Sequence, residues 1–124
     1  MKKTKLVGKS TPAALGPYSP GLKSGNLIFT TQAGLTTDGK LPEDIRGQAD
    51  QCLKNIKEIL EAGGASMSDI VKATILLTDI NDFTQVNHVY KDFFSEPYPA
   101  RATMQVAALP AGLKILIDVI ADVG

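Results

Sequence analysis

The stretch PEDIRGQADQCLKNIKEILEAGG, residues 42–64, carries a period that the chain on either side of it lacks. Ile45, Ala49, Cys52, Ile56, Ile59 and Leu60 recur at three- and four-residue spacing, while Arg46, Asp50, Lys54, Lys57 and Glu61 fill the opposite side. That spacing puts one apolar stripe on an α-helix and leaves its other face to water. Gly63-Gly64 ends the helix, because glycine closes a helical turn without a Cβ penalty. Cys52 lies on the apolar stripe and reads as a buried structural residue.

Working outward, residues 26–31 (Asn-Leu-Ile-Phe-Thr-Thr) are β-branched and aromatic enough for a strand. Residues 37–40 carry a turn signal in which Gly39 suits a positive φ. Residues 11–21, rich in Pro, Gly and Ser, read as a loop with Tyr18 in its middle. On the other side, residues 70–77 (Ile-Val-Lys-Ala-Thr-Ile-Leu-Leu) read as a mostly buried strand. Asn81 or Asp82 then caps a second helix with a stripe of Phe83, Val86, Tyr90 and Phe94. Pro97 and Pro99 break that helix, and two strands follow at 101–107 and 114–122. The order strands, helix, strand, helix, strands predicts one α+β domain spanning residues 1–124, with two helices on one face of a sheet. On the last strand Ile115, Ile117, Val119 and Ala121 share the core face. Lys114, Leu116, Asp118 and Ile120 share the other, which is too apolar for water and predicts an oligomer.

Composition narrows the function. The 124 residues are 44% hydrophobic and 21% charged, the balance of a soluble globular protein. Basic and acidic residues number 13 each, so no global field favours nucleic acid or an acidic membrane. The basic first residues are followed by polar ones rather than an apolar run, and no window approaches the roughly 20 apolar residues of a membrane span. A single cysteine allows no internal disulfide and fits a reducing, cytoplasmic location. One histidine and one cysteine build neither a zinc cluster nor a Cys–His catalytic pair. No glycine-rich phosphate cradle appears. His88 falls off the apolar stripe of the second helix, where a solvent-facing role outweighs a catalytic one.

Arg101 differs from these. It opens a strand behind the rigid Pro99-Ala100 corner and is followed by the small residues Ala102 and Thr103. A planar fork on stiff backbone suits a bidentate carboxylate contact. On local grounds alone, an ordinary solvated arginine is still the stronger reading.

Residues 99–110, Pro-Ala-Arg-Ala-Thr-Met-Gln-Val-Ala-Ala-Leu-Pro, resemble the signature of the RidA/YjgF family, the reactive-intermediate deaminases once called L-PSP endoribonucleases. The resemblance continues in residues 14–21, in the helix from Gln48 to the glycine pair, and in residues 69–74 and 79–87, in the family's order along nearly the whole chain. It implies a chorismate-mutase-like fold with a mixed sheet, and a homotrimer with a ligand pocket at each subunit interface. It also implies hydrolysis of 2-imino acids to 2-oxo acids and ammonia, with no metal or organic cofactor. By the same resemblance Arg101 holds the substrate carboxylate and Tyr18 closes over the ligand. Backbone near Thr31 and Gln32 meets the imine end, Asn87 shapes the pocket from a neighbouring subunit, and Thr103 lines it. Without the resemblance, Tyr18 reads as an aromatic plug of its loop and Asn87 as a satisfied polar residue on the second helix.

The chain also departs from the family. The glutamate that positions water on the last strand aligns with Leu116, the cysteine two residues after the arginine is Thr103, and the Ser-Gly-Gln of the second strand reads Thr31-Gln32-Ala33. A positioned acid/base contributes ~10²–10⁴-fold, so its loss predicts weak turnover. Asp118, about 6.5 Å farther along the same strand face, is a poor substitute. Two functions therefore stand side by side: a slow imine deaminase, or a non-catalytic trimer that binds small carboxylates such as 2-oxo acids. Nucleic-acid cleavage is disfavoured by the neutral charge.

Overall fold

Asp44 begins the long helix by accepting a hydrogen bond from the Gly47 amide at 2.8 Å, and its own carbonyl accepts from Gln48. This is the ordinary way to satisfy the free amides of a first turn. Helix α1 (Ile45–Ala62) then runs to the glycine pair. Gly63 donates back into the last turn, Gly64 takes φ +81°, and the Ala65 amide reaches the Leu60 carbonyl at 2.8 Å. The computed structural model describes residues 2–124.

Around α1 the chain forms β1 (Lys3–Leu6), β2 (Gly21–Ser24), β3 (Leu27–Ala33), β4 (Ile70–Leu77), α2 (Phe83–Tyr90), β5 (Ala100–Gln105) and β6 (Ile115–Asp122). The six strands make one sheet in the order β1-β2-β3-β6-β4-β5. Only β4 and β5 pair in parallel, so the sheet is mixed and the fold is α+β. Both helices cover the same face. Their buried residues, among them Cys52, Leu53, Ile56, Ile59, Leu60 and Val86, share one core with Ile28, Ala73, Ile75, Leu77 and the Ile115-Ile117-Val119-Ala121 side of β6. Strand alternation accounts for the division, since every second residue of a strand turns to the same side.

The structure corrects the sequence reading in several places. The loop assigned to residues 11–21 ends one residue before its limit, because Gly21 begins β2, and the basic N-terminal stretch, to which no element was assigned, holds β1. Neither Asn81 nor Asp82 caps α2 by its side chain: a 3₁₀ turn (Ile80–Asp82) comes first, and Asp79 accepts from the Asn81 amide at 2.9 Å. Helix α2 ends at Tyr90, so Phe94 lies beyond it and joins the stripe by stacking on Tyr90 at 4.2 Å. Lys114 precedes β6, and β5 stops at Gln105. No described helix is long and apolar enough to cross a membrane.

Candidate functional site

Residues of β5 inherit their facing from β4. Arg101 pairs with Ala73 and Thr103 with Ile75, both fully buried on the helix side, so Arg101 and Thr103 rise from the sheet toward α2. The sheet edge leaves room there for a long side chain. The Arg101 guanidinium lies over two rings of α2, 4.7 Å from the Tyr90 centroid and 5.5 Å from that of Phe83. Tyr90 in turn stacks on Phe94, with the ring planes 22° apart. A guanidinium over aromatic faces is attracted by their quadrupoles and gives up part of its hydration.

What Arg101 lacks is a counter-ion. The ion pairs among the described residues are Lys40–Asp38 and Lys54–Asp50, both on the surface. Arg101, half-buried, has no carboxylate within reach of its charge. Two buried hydroxyls on the same side of the sheet also go without partners, those of Tyr90 and Thr103. Burial pushes the Tyr90 phenol above its usual range and the Arg101 charge pulls it back only in part, so the phenol keeps its proton. Half-buried Asn87 lies four residues after Phe83 and three before Tyr90, on the same stripe of α2. It therefore shares the side of α2 over which the Arg101 guanidinium lies.

The other residues singled out by sequence stand elsewhere. Leu116 and Thr31 face the open side of the sheet, Leu116 opposite Ala33 and Leu76, and Thr31 opposite Asp118. The Thr31 hydroxyl donates to the Asp118 carboxylate, which occupies that acid with its neighbour. Gln32 points into the core, where its amide donates to the Pro20 carbonyl and the Thr30 hydroxyl, both at 3.1 Å. Its own backbone carbonyl accepts from the Cys52 thiol at 2.9 Å. Tyr18 is 60% exposed in the loop before β2, and its hydroxyl accepts from the Leu15 amide at 3.3 Å. Strands β3 and β5 are separated by β6 and β4, so Thr31 and Arg101 sit about 14 Å apart across the sheet as well as on opposite faces. Within one chain Arg101 and Thr103 thus rise toward α2, while Tyr18, Thr31, Gln32 and Leu116 stand elsewhere.

Phe83 and Tyr90 are the contributors that the sequence reading left in the core. Their signal was present as a seven-residue spacing of aromatics on a short helix ahead of the arginine, yet the same spacing serves any buried stripe. His88 is exposed and Cys52 is fully buried, as their positions imply. Among the described residues, no three of His, Cys, Asp and Glu converge in a metal-holding group.

Known proteins place this arrangement in context. The chain is 48% identical over 124 residues to Reactive Intermediate Deaminase A, chloroplastic, of Arabidopsis thaliana, covering 98% of this chain and 66% of that protein. It is 44% identical over 126 residues to the 2-iminobutanoate/2-iminopropanoate deaminase of Escherichia coli K12, covering 98% of each. The crystal structure of E. coli TdcF with bound serine superposes with a TM-score of 0.91 at 40% identity, over 96% of this chain and 98% of that one. The Endoribonuclease L-PSP family model matches residues 8–123. The chain belongs to the Endoribonuclease L-PSP family, the RidA/YjgF family of reactive intermediate deaminases.

Proposed function

We propose that this chain is a slow RidA-like deaminase that hydrolyses 2-imino acids, working in the cytoplasm as a homotrimer of single chorismate-mutase-like domains. The observation that carries this reading is Arg101: a half-buried guanidinium, set on two aromatic rings and lacking a carboxylate partner, is suited to an anionic ligand. Serine in the TdcF structure and the substrates in the E. coli deaminase's name both bear such a carboxylate. In hydrolysis, water adds to the C=N carbon, the C–N bond breaks, and a 2-oxo acid and ammonia leave with no change of oxidation state. Arg101 fixes the carboxylate and thereby the reacting carbon. Thr103 and Asn87 border it, while Tyr18, the backbone of Thr31 and Gln32, and Leu116 come from an adjoining subunit. No cofactor or metal takes part, and neither nucleic acid nor membrane is a partner.

Leu116 limits the rate. It offers no group to accept a proton from the attacking water, and a leucine makes that wall of the pocket drier. The same leucine favours the second reading, a trimer that binds 2-oxo acids without turning imines over.

The deciding experiment generates 2-aminocrotonate in place with a threonine dehydratase and follows 2-oxobutanoate release. The wild-type chain is expected to run well below the E. coli deaminase, and Leu116→Glu is expected to raise its rate by up to ~10²-fold. Arg101→Ala is expected to abolish turnover and 2-oxobutanoate binding together. Turnover equal to that of the E. coli enzyme overturns the reading of Leu116. Binding without turnover selects the second function, and unchanged binding by Arg101→Ala removes both.

A further inference from the structure

Tyr90 is more than a support for the guanidinium. Its side chain is 6% exposed, yet its hydroxyl finds no acceptor or donor among the described residues. Leaving a buried hydroxyl unpaired costs free energy, so such groups are scarce and ask for a partner from outside the chain. Only one other buried side-chain polar atom among the described residues shares this state, the Thr103 hydroxyl. Thr103 stands two residues from Arg101 on the same face of β5, about 6.5 Å along the strand. Both orphans therefore flank an arginine that lacks a counter-ion, Tyr90 beneath its guanidinium and Thr103 along its strand. An anion held by the guanidinium would supply the acceptor that the Tyr90 hydroxyl lacks. Two oxygens of a carboxylate offer about four acceptor directions, more than an arginine fork alone can fill.

We infer that Tyr90 is a ligand-contacting residue, its phenol donating a hydrogen bond to a carboxylate oxygen of the molecule that Arg101 holds. The inference rests on the carboxylate-binding reading of Arg101 and adds a second recognition group to it. Because the phenol remains protonated beside Arg101, it has a hydrogen to donate. Its ring meanwhile presents the guanidinium at a fixed height, so the two donors are oriented by one side chain.

The test is calorimetric titration of 2-oxobutanoate into the wild-type protein, Tyr90→Phe and Arg101→Ala, with thermal unfolding and light scattering of each ligand-free protein. Tyr90→Phe keeps the ring and removes only the hydroxyl. It is expected to weaken 2-oxobutanoate roughly 10- to 100-fold, the range of a hydrogen bond to a charged group. The melting temperature of the free protein is expected to hold or rise, because an unsatisfied polar atom is lost. Full affinity in Tyr90→Phe, with Arg101→Ala inactive in binding, overturns this inference and leaves the arginine reading intact: the hydroxyl then meets trapped water. A fall in melting temperature with a change in particle mass overturns it too, by assigning the hydroxyl to subunit assembly. No loss in Arg101→Ala, or no binding by the wild type, overturns both readings.

Discussion

At position 52 a thiol stands in full burial, donating to the Gln32 carbonyl, and burial pushes its ionisation well above the ordinary thiol range. The folded chain therefore holds the Cys52 proton at pH values where the unfolded chain, with a thiol near about 8.5, gives it up. The sign follows: this stabilisation is complete below about pH 8.5 and is lost as pH rises, at a slope approaching ~1.4 kcal/mol per pH unit. Tyr90, also shifted upward, adds in the same sense above about pH 10. Urea midpoints measured from pH 7 to 10 are expected to fall for the wild type and to stay flatter for Cys52→Ala; parallel profiles exclude the thiol as the cause. Single residues were unevenly legible. The burial of Cys52 followed from helical spacing, and the outward turn of Leu116 from strand alternation. The bed of Arg101 did not, because it depends on which helix the sheet edge carries, and local pattern is silent about that.

Elements were legible in proportion to their length and period. Helix α1 spans 18 residues with apolar positions at every turn, and it ends at the glycine pair that the sequence marks. Strands β1 and β2 have four residues each, β1 with a single buried side chain, so neither shows an alternation that a sequence can reveal. Their identity comes from pairing, β2 with β3 and β1 with β2. The end of β3 shows how strictly elements meet. A Cβ at Gly34 would lie 2.3 Å from the Gln48 backbone oxygen, in the first turns of α1. Gln48 cannot yield freely, since its side chain bridges the Pro42 carbonyl and the Lys114 amide at 2.9 Å each. Gly34→Ala is therefore expected to cost about 1–3 kcal/mol, read as a lower urea midpoint at constant slope. An unchanged midpoint means that α1 can slide on the sheet.

At the scale of the molecule, one face of the sheet has helices and the other has none. The open face presents Phe29 at 38% exposure together with half-buried Leu116 and Ile120, an apolar patch that no helix of this chain covers. The homotrimer proposed above buries it and brings the Leu116 side of one chain toward the Arg101 edge of another. Light scattering is expected to give about three times the chain mass. Phe29→Asp is expected to yield smaller particles that no longer bind 2-oxobutanoate, although Arg101 is untouched. A stable monomer with full binding refutes the shared pocket. The sequence disclosed the α+β order and the apolar second face. It could not disclose that the site residues divide between two faces, since that division is a property of strand order.

Strand β6 draws a line between two kinds of change. Its odd-numbered side, Ile115, Ile117, Val119 and Ala121, is fully buried in the core, while Leu116, Asp118 and Ile120 look away from it. A substitution at 116 therefore leaves the helix-side packing as it was. An acid at 116 would change what meets the open face without touching the scaffold. Adjacent residues of one strand thus answer to separate demands, one set by the shape of the core and the other by what the open face meets.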